Sequence, residues 1–98
     1  MVEINSKQRK KLEKLAHPLE PVVIVGQAGV TDNIIGMVKE CLNTHELIKV
    51  KYNEYQDQKF DMTKQITDGT DATLVRVIGN IAILYRPSDD EDNRKIKL

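Results

Sequence analysis

Four residues in the middle of this chain, Gly26-Gln27-Ala28-Gly29, have the composition of a turn that can approach a phosphate closely. Glycine reaches positive φ and, lacking Cβ, lets backbone come near a ligand. A helix following such a turn offers unpaired N–H groups and the positive end of its dipole, which suits an anion. The spacing is not the three-glycine dinucleotide fingerprint, nor a Walker loop, which needs Lys and Ser/Thr after its last glycine. It has the form of the G-x-x-G loop with which KH-type proteins clamp an RNA backbone. Glycine pairs at strand-to-helix turns are structural in most folds, so the turn alone decides nothing. Two sets of lysines accompany it: Lys7, Lys10, Lys11 and Lys14 before it, and Lys49 and Lys51 after it. Lysines flanking a phosphate-accepting turn would make an RNA-backbone face, although on a surface helix they can equally be a solvated face. Periodicity does not say whether the three groups share one side of the fold.

Other reactive residues lack the company that chemistry requires. Cys41 and His45 stand four apart on an expected helix and could form a thiol–imidazole pair. Cys41 lies in an apolar stripe, however, where a free cysteine is normally a packing residue. His17 and His45 both fall at expected helix ends, where the dipole favours them. One cysteine and two histidines show no metal-ligand spacing, and the run Asp89-Asp90-Glu91-Asp92 lacks the closing Glu of a calcium loop. No Ser occupies a G-x-S-x-G turn. The expectation is a protein without catalytic site, metal or cofactor.

The elements that must position these residues follow from pattern. Ser6 reads as the N-cap of a first helix over residues 7–17, stopped by Pro18, with Ile4, Gln8, Leu12 and Leu15 in one arc and the four lysines beside it. Residues 21–25, an apolar β-branched run between Pro21 and Gly26, read as a buried strand. Thr31 or Asp32 caps a second helix to about Thr44, its stripe being Ile34, Ile35, Val38, Cys41 and Leu42. In residues 47–52, Ile48, Val50 and Tyr52 alternate with Lys49 and Lys51, as on a half-buried strand. Met62, Gln65 and Ile66 suggest a short third helix between Tyr55 and Asp68, with Gly69 as its C-cap. Residues 72–78 and 81–86 are strands joined by a tight turn at Gly79-Asn80. The order α-β-α-β-α-β-β implies a single-domain mixed four-stranded sheet of the α/β class, partly parallel and closed by an antiparallel hairpin. Residues 1–87 form the domain and 88–98 a loose, partly acidic tail.

Length and charge bound the rest. Ninety-eight residues make one domain with one core and little room for a small-molecule cavity. With one Phe, three Tyr and no Trp, aromatic stacking platforms are not expected. A single cysteine excludes an internal disulfide, and the lysine-rich start lacks the apolar run of a secretory signal. With no membrane-length apolar stretch either, a cytoplasmic protein is the expectation. Fifteen basic and fifteen acidic residues cancel, which taken globally argues against a nucleic-acid binder. The charge is segregated, however, into a basic start and an acidic run near the end.

Several strings together resemble the CRM domain, in particular the stand-alone bacterial YhbY family. They are Leu15-Ala16-His17-Pro18-Leu19, then Pro21 to Gly29, then His45-Glu46-Leu47-Ile48-Lys49-Val50-Lys51, and finally Val77-Ile78-Gly79 with Leu84-Tyr85-Arg86-Pro87. The resemblance covers residues 7–87 and departs most over 53–68, and the neutral charge is unlike the commonly basic family. It implies a fold similar to the C-terminal domain of a bacterial translation initiation factor. It also implies a monomeric RNA binder that associates with ribosomal RNA in large-subunit precursors and assists ribosome assembly. The implied contacts are Gly26, Gln27, Ala28 and Gly29, with Lys7, Lys10, Lys11, Lys14, Lys49, Lys51 and Arg86, reading RNA shape more than base edges. The competing expectation is a protein-binding adaptor that uses the sheet or the acidic tail.

Overall fold

The computed structural model describes residues 1–98. The element order is α1 (Ser6–Ala16), β1 (Val23–Val25), α2 (Asp32–His45), β2 (Leu47–Tyr52), α3 (Lys59–Thr70), β3 (Thr73–Ile78) and β4 (Ile81–Tyr85), with short 3₁₀ turns at Gln56–Gln58 and Glu91–Asn93. The sheet order is β1-β2-β4-β3, with β1 parallel to β2 and both other pairings antiparallel. The expected mixed α/β sheet is what the chain forms.

Strand alternation sorts the sheet into two faces. On one, Val23, Val25, Ile48, Val50, Tyr52, Ala82 and Leu84 meet Val38 and Leu42 of α2 and Ile66 of α3 in the larger core cluster. On the other, Leu47, Val75, Ile83 and Tyr85 are covered by Leu12 and Ala16 of α1. So α1 occupies one side of the sheet, and α2 with α3 the other. Burying Leu12 alone is worth about 1.5–3 kcal/mol, which makes it the main anchor of α1.

Several local features depart from the sequence reading. The N-cap of α1 is Asn5, not Ser6: Asn5 Oδ1 accepts from Gln8 N–H at 2.8 Å and Gln8 Oε1 accepts from Asn5 N–H at 2.9 Å. This reciprocal capping box uses Gln8, which is therefore not a core position. Ala16 fills the second core site and Leu15 is 44% exposed, because a small side chain lets α1 lie close over the sheet. β1 is a three-residue edge strand, so Ile24 points out on the α1 side where only Val23 and Val25 are buried. Gly69 does not cap α3. The helix runs through it to Thr70, and Asp71 at φ 59 takes the left-handed cap. A Cβ on Gly69 would stand 3.1 Å from Ile35 Cδ1, so this glycine serves the close approach of α2 and α3.

The tail is not loose. Ser88 is fully buried and Ile96 packs against the α1-side cluster. The buried Glu46 carboxylate ties the segment down, accepting from the N–H groups of Ser88 (2.8 Å), Lys95 (2.6 Å) and Ile96 (3.1 Å). Burial pushes the Glu46 carboxyl up, but these three bonds and the Arg94 charge outweigh it and hold it below its ordinary value.

Candidate nucleic-acid interface

Parallel β1 and β2 end at the same edge of the sheet, where antiparallel β3 ends and β4 begins. Three connections therefore gather at that edge: the glycine turn after β1, the loop leading to α3, and the Gly79-Asn80 turn. Tyr52 N–H donates to Asn80 O at 2.8 Å and Asn53 N–H to Val25 O at 3.0 Å, which lace this end together.

The glycine turn is closed by Gly29 N–H donating to Gly26 O at 3.0 Å. Its two glycines have different reasons. Gly29 sits at φ +70, and a Cβ there would lie 3.4 Å from Met62 Cε. Gly26 has an ordinary φ and open space where a Cβ would go, so local structure does not demand glycine there. The turn is braced from α3's side by Tyr55, itself left-handed at φ 58, whose hydroxyl donates to Gln27 O at 2.5 Å. α2 begins only at Asp32. Thr31 Oγ1 accepts from Ile34 N–H at 3.2 Å, and the Asp32 carboxylate already lies in the positive first turn. The helix dipole is therefore partly answered from within, and backbone approach at the turn matters more than the dipole.

The lysine sets share the α1 side. Lys10, Lys14 and His17 form one flank of α1, facing a groove of about 770 Å³ whose far wall includes Ile78. Lys11 touches both this groove and the C-terminal segment, where its Nζ donates to Lys97 O, and Lys7 lies there beside Leu98. Lys49 and Lys51 point to the same side from β2. Their situations differ: Lys51 is exposed, whereas Lys49 Nζ donates to Leu19 O at 2.9 Å and His17 O at 3.4 Å, fastening the loop after α1. Arg76, which the sequence reading passed over, adds an exposed cation on this side, 3.6 Å from Glu13.

Arg86 is elsewhere. It follows β4, at the opposite end of the sheet, and its side chain is only 12% exposed. Its guanidinium donates to Thr70 O and Asn43 Oδ1, each at 2.7 Å, with Asp89 at 3.7 Å. These bonds join α2, α3 and the tail, a structural position remote from the glycine turn.

The acidic segment is remote too. Asp89 N–H donates to Asn43 Oδ1 at 3.1 Å, at the last turns of α2, whereas the glycine turn precedes its first. A helix of 14 residues spans about 21 Å, well beyond a Debye length of about 8 Å at physiological salt. A neutral chain thus presents a basic face. Cys41 packs against the larger core cluster, and burial followed by the Glu40 charge pushes its thiol up, away from the reactive thiolate. No cluster of three or more metal-ligating side chains occurs, and no helix is long and apolar enough to cross a membrane. Besides Arg76, sequence reasoning missed Tyr55, Lys59 and Phe60 at the edge of the turns. Lys59 Nζ donates to Gly79 O at 2.6 Å and lies 5.6 Å from the centroid of the exposed Phe60 ring.

Comparison with known proteins agrees with this geometry. The chain is 40% identical over 91 residues to a Haemophilus influenzae protein named "RNA-binding protein", with 92% of each covered. It is 36% identical over 96 residues to Bacillus subtilis "Probable RNA-binding protein YqeI", covering 97% of this chain and 98% of that one. A Staphylococcus aureus protein solved in solution has the same fold at a TM-score of 0.78 and 29% identity, over 97% of this chain and 100% of the other. Residues 4–86 match the CRS1 / YhbY (CRM) domain, and the chain belongs to that family.

Proposed function

We propose that this protein is a non-enzymatic RNA-binding assembly factor, acting as a cytoplasmic monomer on ribosomal RNA in precursors of the large subunit. The observation that carries the RNA reading is the convergence of Gly26–Gly29, Lys10, Lys14 and Lys51 on one basic face, with the acidic tail at the far end of the molecule. The names of the relatives and the family point the same way. Gly26, Gln27, Ala28 and Gly29 admit the backbone, while Lys7, Lys10, Lys11, Lys14 and Lys51 supply attraction to phosphates. Lys49 shapes the face from beneath, and Arg86 acts through stability. The ribosomal assignment rests on the family resemblance. Its test is sedimentation of tagged protein from lysate: co-migration with large-subunit precursors, abolished by ribonuclease, is expected, and free protein at all salt concentrations refutes it.

An adaptor role has one observation in its favour. Leu15, Leu19, Val22 and Ile96 line an apolar groove of about 390 Å³ beside the free edge of β1. A partner held there would survive ribonuclease, so the same experiment separates the two.

A further inference from the structure

α1 covers only part of its side of the sheet. Strand register places Ile24 beside Lys51, Lys51 beside Ile81, and Ile81 beside Ile78, as one row across all four strands. Alternation puts this row on the α1 side, since Val25, Tyr52, Ala82 and Val77 next to it belong to the opposite cluster. α1 passes over the rows nearer Leu47 and Tyr85 and leaves this one open. Ile24 and Ile78 are each 52% exposed. The row spans three strand spacings, about 14 Å, and forms a continuous floor.

The surroundings of this floor are cationic. Lys10, Lys14 and His17 overhang it from α1, Lys51 rises from its centre, and Arg76 flanks it while paired with Glu13. At the Ile24 end the chain passes after one residue into Gly26. Exposed β-branched residues in a lysine-rimmed groove do not serve phosphate, which wants donors. They serve a flat apolar surface that arrives together with phosphate.

We infer that this row is the floor of the RNA groove and takes the faces of unpaired bases, so that the site selects single-stranded or looped RNA over continuous duplex. The inference rests on the RNA-binding reading above and adds the class of RNA. In a duplex the base faces are stacked on each other and cannot reach an apolar floor, whereas an unpaired segment can lay bases on Ile24 and Ile78 while its phosphates meet Lys10, Lys14 and the glycine turn. Such contacts tolerate any base, because every base has an apolar face.

The test is fluorescence anisotropy with a short oligouridylate and an RNA duplex of the same length, across a salt series. Wild-type protein should prefer the single strand. The double variant Ile24→Thr/Ile78→Thr keeps β-branching at two exposed positions and should lose about tenfold in single-strand affinity, as expected for one lost base contact, with duplex affinity and salt slope unchanged. Ile24→Tyr, which offers a better stacking surface, should bind the single strand more tightly. Equal single-strand affinity in the double variant, or a wild-type preference for duplex, overturns the inference while leaving RNA binding intact. Failure of wild type to bind either RNA overturns both.

Discussion

The two glycines that bound the turn should respond in opposite ways to substitution. At Gly26 the backbone is unstrained and a Cβ would meet nothing within 4 Å, so Gly26→Asp adds a carboxylate in solvent without deforming the fold. Stability should change by no more than about 0.5 kcal/mol, the usual range for surface changes. A carboxylate about 4 Å from a phosphate costs about 1 kcal/mol in bulk water and about 4 kcal/mol at an effective dielectric near 20. The turn is exposed, so the lower value applies, and RNA affinity should fall about five- to tenfold. Gly29 is the reverse case. Its φ of +70 makes Gly29→Ala strained by about 1–2 kcal/mol, with the new methyl 3.4 Å from Met62 Cε. In a domain of this size Tm should drop by about 4–8 °C per kcal/mol, while affinity below the transition stays within about twofold. Thermal denaturation and anisotropy on the same samples separate the two effects. Unchanged affinity in Gly26→Asp would remove the turn from the RNA site, and an unchanged Tm in Gly29→Ala would refute the assignment of strain to that position.

The Glu46 clamp makes two predictions. Its carboxyl is held below the ordinary value of 4.5, so its stabilising contribution is present above that pH and is lost as pH falls through the lower folded value. Acidification should therefore release residues 88–96, seen as faster amide exchange at Lys95 and Ile96, before the sheet unfolds. Glu46→Gln, which keeps the shape but not the charge, should cost about 1–3 kcal/mol in denaturant unfolding. Arg86→Ala breaks the bonds to Thr70 O and Asn43 Oδ1 and should cost about 2–3 kcal/mol of stability. Its RNA affinity under folding conditions should equal that of wild type; a loss at unchanged stability would return Arg86 to the interface.

Elements with strong periodicity were legible in the sequence: α2 with its Thr31 cap, β2 with its alternating lysines, and the hairpin around Gly79-Asn80. What failed depended on neighbours distant in sequence. Leu15 is as apolar as Leu12, and only the closeness of α1 to the sheet decides that Ala16 is buried instead. Gly69 looked like a cap because the side chain that needs its space, Ile35, lies across a helix interface. The charged tail gave no local sign of order, since its partner is a single buried carboxylate more than forty residues earlier. Arg86 shares a string with the family but spends its donors on two helices. In the candidate site, the glycine turn and the lysines were visible as residue types. Their placement on one face follows from α1 crossing the side of the sheet from which Lys51 projects, a fact of topology. Ile24 and Ile78 could not be picked out, because an edge strand and an uncovered row read as ordinary apolar positions.

The central claim is that the α1 side of the sheet holds RNA phosphates. The most direct measurement is the salt dependence of single-strand RNA affinity for wild type and for the triple variant Lys10→Gln/Lys14→Gln/Lys51→Gln. Each lost phosphate contact lowers the slope of log affinity against log salt by about 0.7, so the variant should be flatter by about 2 and weaker at low salt. Parallel lines for the two proteins would place the phosphates elsewhere and contradict the account.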